Sequence, residues 1–186
     1  MNQMFKHILF LTLISLLLLG CKKQVQTVTL DTKKPEMSIK VKHKKSAELS
    51  ELSKKEIGNW KEYNELHYFF ERYTNVSPNE ALDMSIELQK LTENLKDSIR
   101  YDDLKTNAVV SRTNVLENEV LRLVDMALIP AIKADEVNSQ IDKVFLVFNS
   151  FNQKVNTVYS KKKFDKELNL DDFFDLDKEK VSGSGK

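Results

Sequence analysis

The chain has 186 residues, 29 Lys and Arg against 28 Asp and Glu, and one cysteine. A formal net charge of +1 gives no electrostatic support for nucleic-acid binding, which needs a basic surface. A single cysteine excludes a disulfide within the chain and a multi-cysteine metal site. The length is sufficient for one domain with its own hydrophobic core.

An apolar run near the N-terminus is the first element. Residues 8–19 are apolar apart from Thr12 and Ser15. Twelve residues rise about 18 Å as a helix, whereas the hydrocarbon core of a bilayer is about 30 Å thick. The run is therefore too short to span a membrane and is typical of the apolar region of a signal peptide.

The run ends in Leu18, Leu19, Gly20 and Cys21. These residues resemble a lipobox, the processing site of bacterial lipoproteins, although Leu19 stands where a small or β-branched residue is usual. The resemblance implies that residues 1–20 are a lipoprotein signal peptide and that Cys21 carries lipid, including a fatty acid such as palmitate. With Cys21 lipidated, no thiol remains for catalysis. The alternative is an ordinary cleaved signal followed by an unrelated cysteine.

Residues 21–45 are predicted to be the lipidated cysteine followed by a disordered basic tether. Residues 22–45 hold eight lysines against Asp31 and Glu36, with little apolar periodicity. Two interpretations remain open, a solvated spacer and a segment that rests on anionic headgroups.

Residues 46–163 are predicted to form a helical domain. Neither glycine nor proline occurs between Asn79 and Ile129, which favours long helices. Three- and four-residue steps predict a first helix over residues 46–74, interrupted weakly by Gly58. Ser53 and Glu56 have capping-box spacing, so the well-formed part of this helix is predicted to start there.

The stretch from Ser77 to Glu80 predicts another helix start, because serine can cap, proline suits the first helical position and glutamate completes a capping box. The apolar steps that follow permit one helix over 79–129 or a hairpin at Tyr101–Asn107, and the hairpin is favoured because Asp and Asn suit turns. The two apolar seams are Ala81, Met84, Leu88, Leu91, Leu95 and Ile99, then Val109, Thr113, Leu116, Val120, Leu123 and Ala127.

The last predicted helix has the most regular seam of the chain: Val137, Ile141, Val144, Phe148, Phe151, Val155 and Val158. Together the elements predict an all-α protein, an up-down-up-down four-helix bundle with coiled-coil-like packing. This plan resembles small, uncharacterised helical envelope lipoproteins, some of which carry a misleading "viral A-type inclusion protein" label.

Residues 164–186 are predicted to be an acidic-aromatic segment and a disordered C-terminus. Residues 164–180 contain seven acids against three lysines, interleaved with phenylalanines and leucines. We expect the segment 164–181 to dock through its aromatic residues, either on its own bundle or on another protein.

No catalytic, cofactor or metal residues are predicted, and the protein is not expected to be an enzyme. Of the three histidines, His7 lies in the signal, His43 in the tether and His67 alone in a helix, where it is expected to be a boundary residue that forms a hydrogen bond beside a carboxylate. A metal site needs several converging ligands. The acidic stretch 171–179 lacks the central glycine of an EF-hand loop. The aromatic residues between Trp60 and Tyr73 are expected to pack in the core, with a binding patch as the alternative.

These observations predict a lipid-anchored lipoprotein of the cell envelope that acts as a structural or protein-interaction module. Its expected partners are the membrane, through Cys21, and an unknown envelope protein. Lys22 follows the lipidated cysteine where an Asp retention signal would stand, so the periplasmic side of the outer membrane is favoured over the inner membrane. The alternative function is binding of a hydrophobic ligand or haem between helices.

Overall fold

A computed structural model describes residues 35–45 and 47–168 of the chain. The predicted signal, the lipobox and residues 169–186 lie outside this part. Within it the protein is mostly helical, which confirms the all-α class. Its six α-helices are α1 (Glu51–Ile57), α2 (Lys61–Tyr73), α3 (Pro78–Asp83), α4 (Ser85–Asp97), α5 (Asn107–Met126) and α6 (Ala134–Leu168).

Two short strands bring the N-terminal part of the described chain onto the helices. Strand β1 (Val41–Lys42) pairs antiparallel with β2 (Asn75–Val76), with Val41 opposite Val76. A 3₁₀ turn over Pro35–Ser38 precedes β1 and buries Met37. Residues 35–45, predicted as tether, therefore belong to the fold, because strand pairing and burial of an apolar side chain compensate for the loss of chain entropy.

The first predicted helix is divided in two at Gly58. This glycine has φ +52° and ψ −133°, a conformation that L residues rarely adopt. Helix α1 ends just before it, and α2 begins three residues later. The start predicted at Ser53 was wrong: Ser50 is the N-cap and accepts a hydrogen bond from the Ser53 amide at 3.2 Å.

The capping box at the start of α3 is confirmed. The Ser77 hydroxyl accepts from the Glu80 amide, and the Glu80 carboxylate accepts from the Ser77 amide at 3.0 Å. The hairpin is confirmed as well, since α4 and α5 pack against each other on either side of a 3₁₀ turn over Asp102–Leu104. Leu104 is fully buried and holds this turn against the domain.

Helix α6 is the longest element, with 35 residues and a length of about 52 Å. Its predicted seam is confirmed: the six seam residues that begin with Val137 and end with Val155 are buried, and the seventh, Val158, is half-buried against the core. The Phe148 ring stacks on Phe70 of α2 with centroids 4.2 Å apart. Helix α6 also packs along α5 and against α1.

Candidate functional site

Cys21, the only predicted site residue, lies outside the described part of the chain. Between residues 35 and 168, Ser46 aside, no group of three or more His, Cys, Asp or Glu side chains comes together as a metal site. In the same residues, no helix is both long and apolar enough to cross a membrane. The candidate sites described below are surfaces that the tertiary contacts of the fold create.

Three asparagines on α6 bind the main chain of residues 47–50. The Asn149 side-chain oxygen accepts from the Ala47 amide at 2.9 Å, and the Asn152 side-chain nitrogen donates to the Ala47 carbonyl at 2.7 Å. Asn156 accepts from the Ser50 amide at 2.8 Å and donates to the Glu48 carbonyl at 3.1 Å. We call these three residues the asparagine seat.

The seat follows from helical geometry. Positions 149, 152 and 156 are separated by three and four residues, so they lie on one side of α6. An amide side chain carries both a donor and an acceptor, and it can therefore satisfy the N–H and C=O groups of an extended segment that has no strand partner. Residues 35–45 and 47–50 together are here named the strap, because they run over the helices before α1 begins.

His43 fixes the middle of the strap. Its side chain is 1% exposed, its Nδ1 lies 2.8 Å from Asp142 Oδ1 on α6, and its ring stacks on Phe145 at 6.2 Å. The His43 amide donates to the Thr74 carbonyl at 2.9 Å, which continues the pairing of β1 with β2. The His43 Nε2 is buried without a hydrogen-bond partner. The strap is thus joined to α6 by side chains and to the α2–α3 connection by its backbone.

His67, the one histidine predicted to lie in a helix, does not form the expected hydrogen bond with a carboxylate. Its ring stacks on Tyr63 at 5.9 Å, and its buried Nδ1 has no partner. Glu71, one turn away, pairs instead with Lys45 of the strap at 3.1 Å. His67 therefore contributes packing, as part of the aromatic layer of α2.

The aromatic cluster of α2 is a core element. Trp60, Tyr63, Phe70 and Tyr73 are buried, whereas Tyr68 is 70% exposed. The Trp60 indole donates to Ser98 Oγ at 2.8 Å, and the Tyr73 hydroxyl donates to the Ala81 carbonyl at 2.7 Å. Burial raises the pKa of Tyr73 well above its usual value. Of the two interpretations left open, core packing is confirmed for these four residues.

A second surface lies toward the C-terminal end of α6, where it meets the start of α5. The groove there has a volume of about 920 Å³ and contains Lys154, Lys161, Lys162 and Lys166. Lys162 contacts Asp103, and this hydrogen bond raises the pKa of the ammonium group. We call this surface the lysine groove.

The sequence alone predicts neither the asparagine seat nor the lysine groove. The asparagine seat joins residues that are more than 100 positions apart, and asparagines spaced along a helix are ordinary surface residues until a segment lies on them. The four lysines sit on an amphipathic helix, where such residues usually face solvent. The spacing of these lysines can be read from the sequence. The opposite wall of the groove consists of Asp103 and the start of α5, and it forms only when the chain folds into the hairpin.

Comparison of the chain with protein-family models, with curated proteins and with solved structures finds no match.

Proposed function

We propose that the protein is a lipoprotein of the bacterial cell envelope, held at a membrane by lipid on Cys21, and that its helical domain is a structural or protein-interaction module. The observation that carries this proposal is the position of the only cysteine, directly after Gly20 at the end of an apolar run. The absence of an Asp after Cys21 favours the periplasmic side of the outer membrane. Several acyl chains together would give stable attachment.

The packing of the strap on the helices is evidence for a short connection between the anchor and the domain. Because residues 35–45 pack against the helices, thirteen residues, 22–34, separate Cys21 from the first residue that the structure describes. Thirteen residues span at most about 45 Å when fully extended. A pull on the anchor would reach the β1–β2 pairing and His43 first, and the asparagine seat on α6 after them. This arrangement suits a module that acts close to its membrane.

We also propose that α2, α4, α5 and α6 form the predicted up-down-up-down bundle. Contacts of α2 with α4, of α4 with α5 and of α5 with α6 support this arrangement. The rings of Phe70 and Phe148 join α2 to α6 and would close the bundle. These rings also occupy the space that a ligand or haem would need between α2 and α6, so we prefer the interaction module to the ligand-binding alternative. The expected partner is another envelope protein.

The anchor is tested by metabolic labelling in a bacterial host with a fatty-acid analogue. The parent chain should incorporate the label and be cleaved before Cys21, whereas Cys21→Ser should lose both. Ser15→Ala, a change within the apolar run that leaves Cys21 in place, is the control and should label normally. Incorporation of label by Cys21→Ser would disprove the anchor.

A further inference from the structure

The lysine groove carries positive charge that the described residues do not neutralise. Lys161 pairs with Asp165 at 3.1 Å, and Lys162 contacts Asp103 and Glu56. The two remaining ammonium groups of the groove, those of Lys154 and Lys166, form no ion pair with a carboxylate in residues 35–45 and 47–168. Among the side chains that line the groove, four ammonium groups stand against two carboxylates, those of Asp103 and Asp165, so the lining carries a net charge of +2.

Apolar surface adjoins these charges. Ala108 and Val158 line the groove, and Val158 is half-buried against the core. Further along α6, Phe164 is 58% exposed and Leu168 is 45% exposed. Leu168 lies seven positions after Lys161, and Phe164 lies seven positions after Thr157, so both share the side of the helix that lines the groove. Exposed apolar side chains beside unpaired lysines suit an occupant that is both acidic and aromatic.

We propose that the lysine groove is the seat of the chain's own C-terminal segment, residues 169–181, which lie outside the described part. This segment contains five acids against two lysines. It also contains two leucines and two phenylalanines, and the phenylalanines stand between pairs of aspartates. Its acidic and apolar side chains are Leu170, Asp171, Asp172, Phe173, Phe174, Asp175, Leu176, Asp177 and Glu179.

The chain length permits this docking. Lys154 lies fourteen positions before the end of α6, a distance of about 21 Å along the helix axis. The nine residues 169–177 span up to about 30 Å when extended. A segment that turns back after Leu168 can therefore place its aspartates beside Lys166 first and Lys154 last.

Covalent connection favours the chain's own segment over a separate acidic partner. A short linker gives its two ends an effective concentration in the millimolar range. A free acidic peptide would have to reach that concentration to compete. The inference does not depend on the membrane anchor, because the residues that line the groove and the segment itself all follow residue 102.

The test is a distance measurement by pulsed electron–electron resonance on the full chain carrying Cys21→Ser, in detergent. One spin label is placed at Ser111→Cys, on the exposed surface of α5 beyond the groove, and one at Ser182→Cys, directly after the segment. Docking predicts a narrow distance distribution. The pair Lys154→Glu and Lys166→Glu should broaden it severalfold. The matched pair Lys90→Glu and Lys143→Glu, two exposed lysines outside the groove, should leave it narrow.

A reciprocal exchange of charge distinguishes the loss of docking from the unfolding of a variant. Asp171→Lys and Asp175→Lys, combined with the two groove substitutions, should restore the narrow distribution, and circular dichroism should show equal helix content in all variants. A broad distribution in the parent would overturn the proposal. A narrow distribution that the groove substitutions leave unchanged would also overturn the proposal, because the segment would then dock elsewhere. Broadening on addition of a tenfold excess of unlabelled chain would overturn it too, because docking would occur between copies.

Discussion

At the scale of single residues, two positions carry unusual importance, one for its packing and one for its backbone. Phe148 is fully buried and stacks on Phe70 at 4.2 Å with an angle of 5° between the rings. Gly58 has a positive φ, and a Cβ added there would meet nothing within 4 Å. Phe148 therefore contributes to stability through its contacts, and Gly58 through its backbone conformation alone.

We predict that Phe148→Ala lowers the free energy of unfolding by about 3–5 kcal/mol, because it removes a buried ring and leaves a cavity. This is a large fraction of a typical total of about 5–15 kcal/mol. Urea denaturation followed by circular dichroism measures it. Leu146→Ala, in the same helix but 67% exposed, is the control and should change the value by less than about 0.5 kcal/mol. Equal stability of Phe148→Ala and the parent would show that the ring is not in the core.

Gly58→Ala should lower the free energy of unfolding by about 1–3 kcal/mol, since alanine at φ +52° is strained although space is available. Lys55→Ala in α1, an exposed position with ordinary helical geometry, is the comparison and should be nearly neutral. The same denaturation measurement distinguishes them. If Gly58→Ala were stabilising, α1 and α2 would have to form one continuous helix, as the apolar steps alone suggest.

At the scale of elements, the strap and α6 show how a segment without regular secondary structure can be held in place. The strap contains a 3₁₀ turn and a two-residue strand, and its backbone groups near Ala47 and Ser50 bind asparagine side chains. Asn152 is fully buried and its amide has one partner for its nitrogen, the Ala47 carbonyl. Since the seat contacts main-chain atoms, it sets the position of the strap and depends little on the side chains that the strap carries.

We predict that Asn149 and Asn156, the two asparagines that accept from strap amides, each protect one amide from hydrogen exchange. Asn149→Ala should speed exchange at the Ala47 amide, and Asn156→Ala should speed exchange at Ser50. Gln153→Ala, an exposed change on the same helix, should affect neither. Nuclear magnetic resonance measures the individual rates. Unchanged exchange at Ala47 and Ser50 in the two asparagine variants would mean that the seat does not hold the strap.

At the scale of the whole molecule, the two ends of the described chain meet on one helix. The strap lies on the middle of α6, and the lysine groove lies near its end. Tyr159, within the stretch of α6 that carries the groove lysines, is almost fully buried, and burial, followed by the nearby charge of Asp103, raises its pKa to about 12. The packing of the last helix therefore becomes sensitive to alkaline pH.

The sign of this dependence follows from the neutral phenol in the folded state. Its folded pKa of about 12 exceeds the unfolded value of about 10, so its contribution to stability is complete below pH 10 and is lost as pH rises toward 12. We predict a smaller loss of stability between pH 10 and pH 12 in Tyr159→Phe than in the parent, measured by urea denaturation at each pH. Parallel pH curves for the two proteins would contradict a buried, neutral Tyr159.

The sequence by itself determined the helical class, the capped start at Ser77, the hairpin and the buried seam of α6. Each depends on residues within a few turns of one another, where helical periodicity, capping and turn chemistry act. It also contains the predicted lipobox, a local motif whose test is chemical labelling.

Only the tertiary structure decided where the first helix breaks and what the strap does. A glycine inside an apolar pattern is compatible with a bent helix or with a break, and the packing of Trp60 against Ser98 accompanies the break. His43 and Asp142 are 99 positions apart, and Asn156 and Ser50 are 106 apart. No local pattern joins such residues, because their contacts exist only after the hairpin and α6 have brought these distant parts of the chain together.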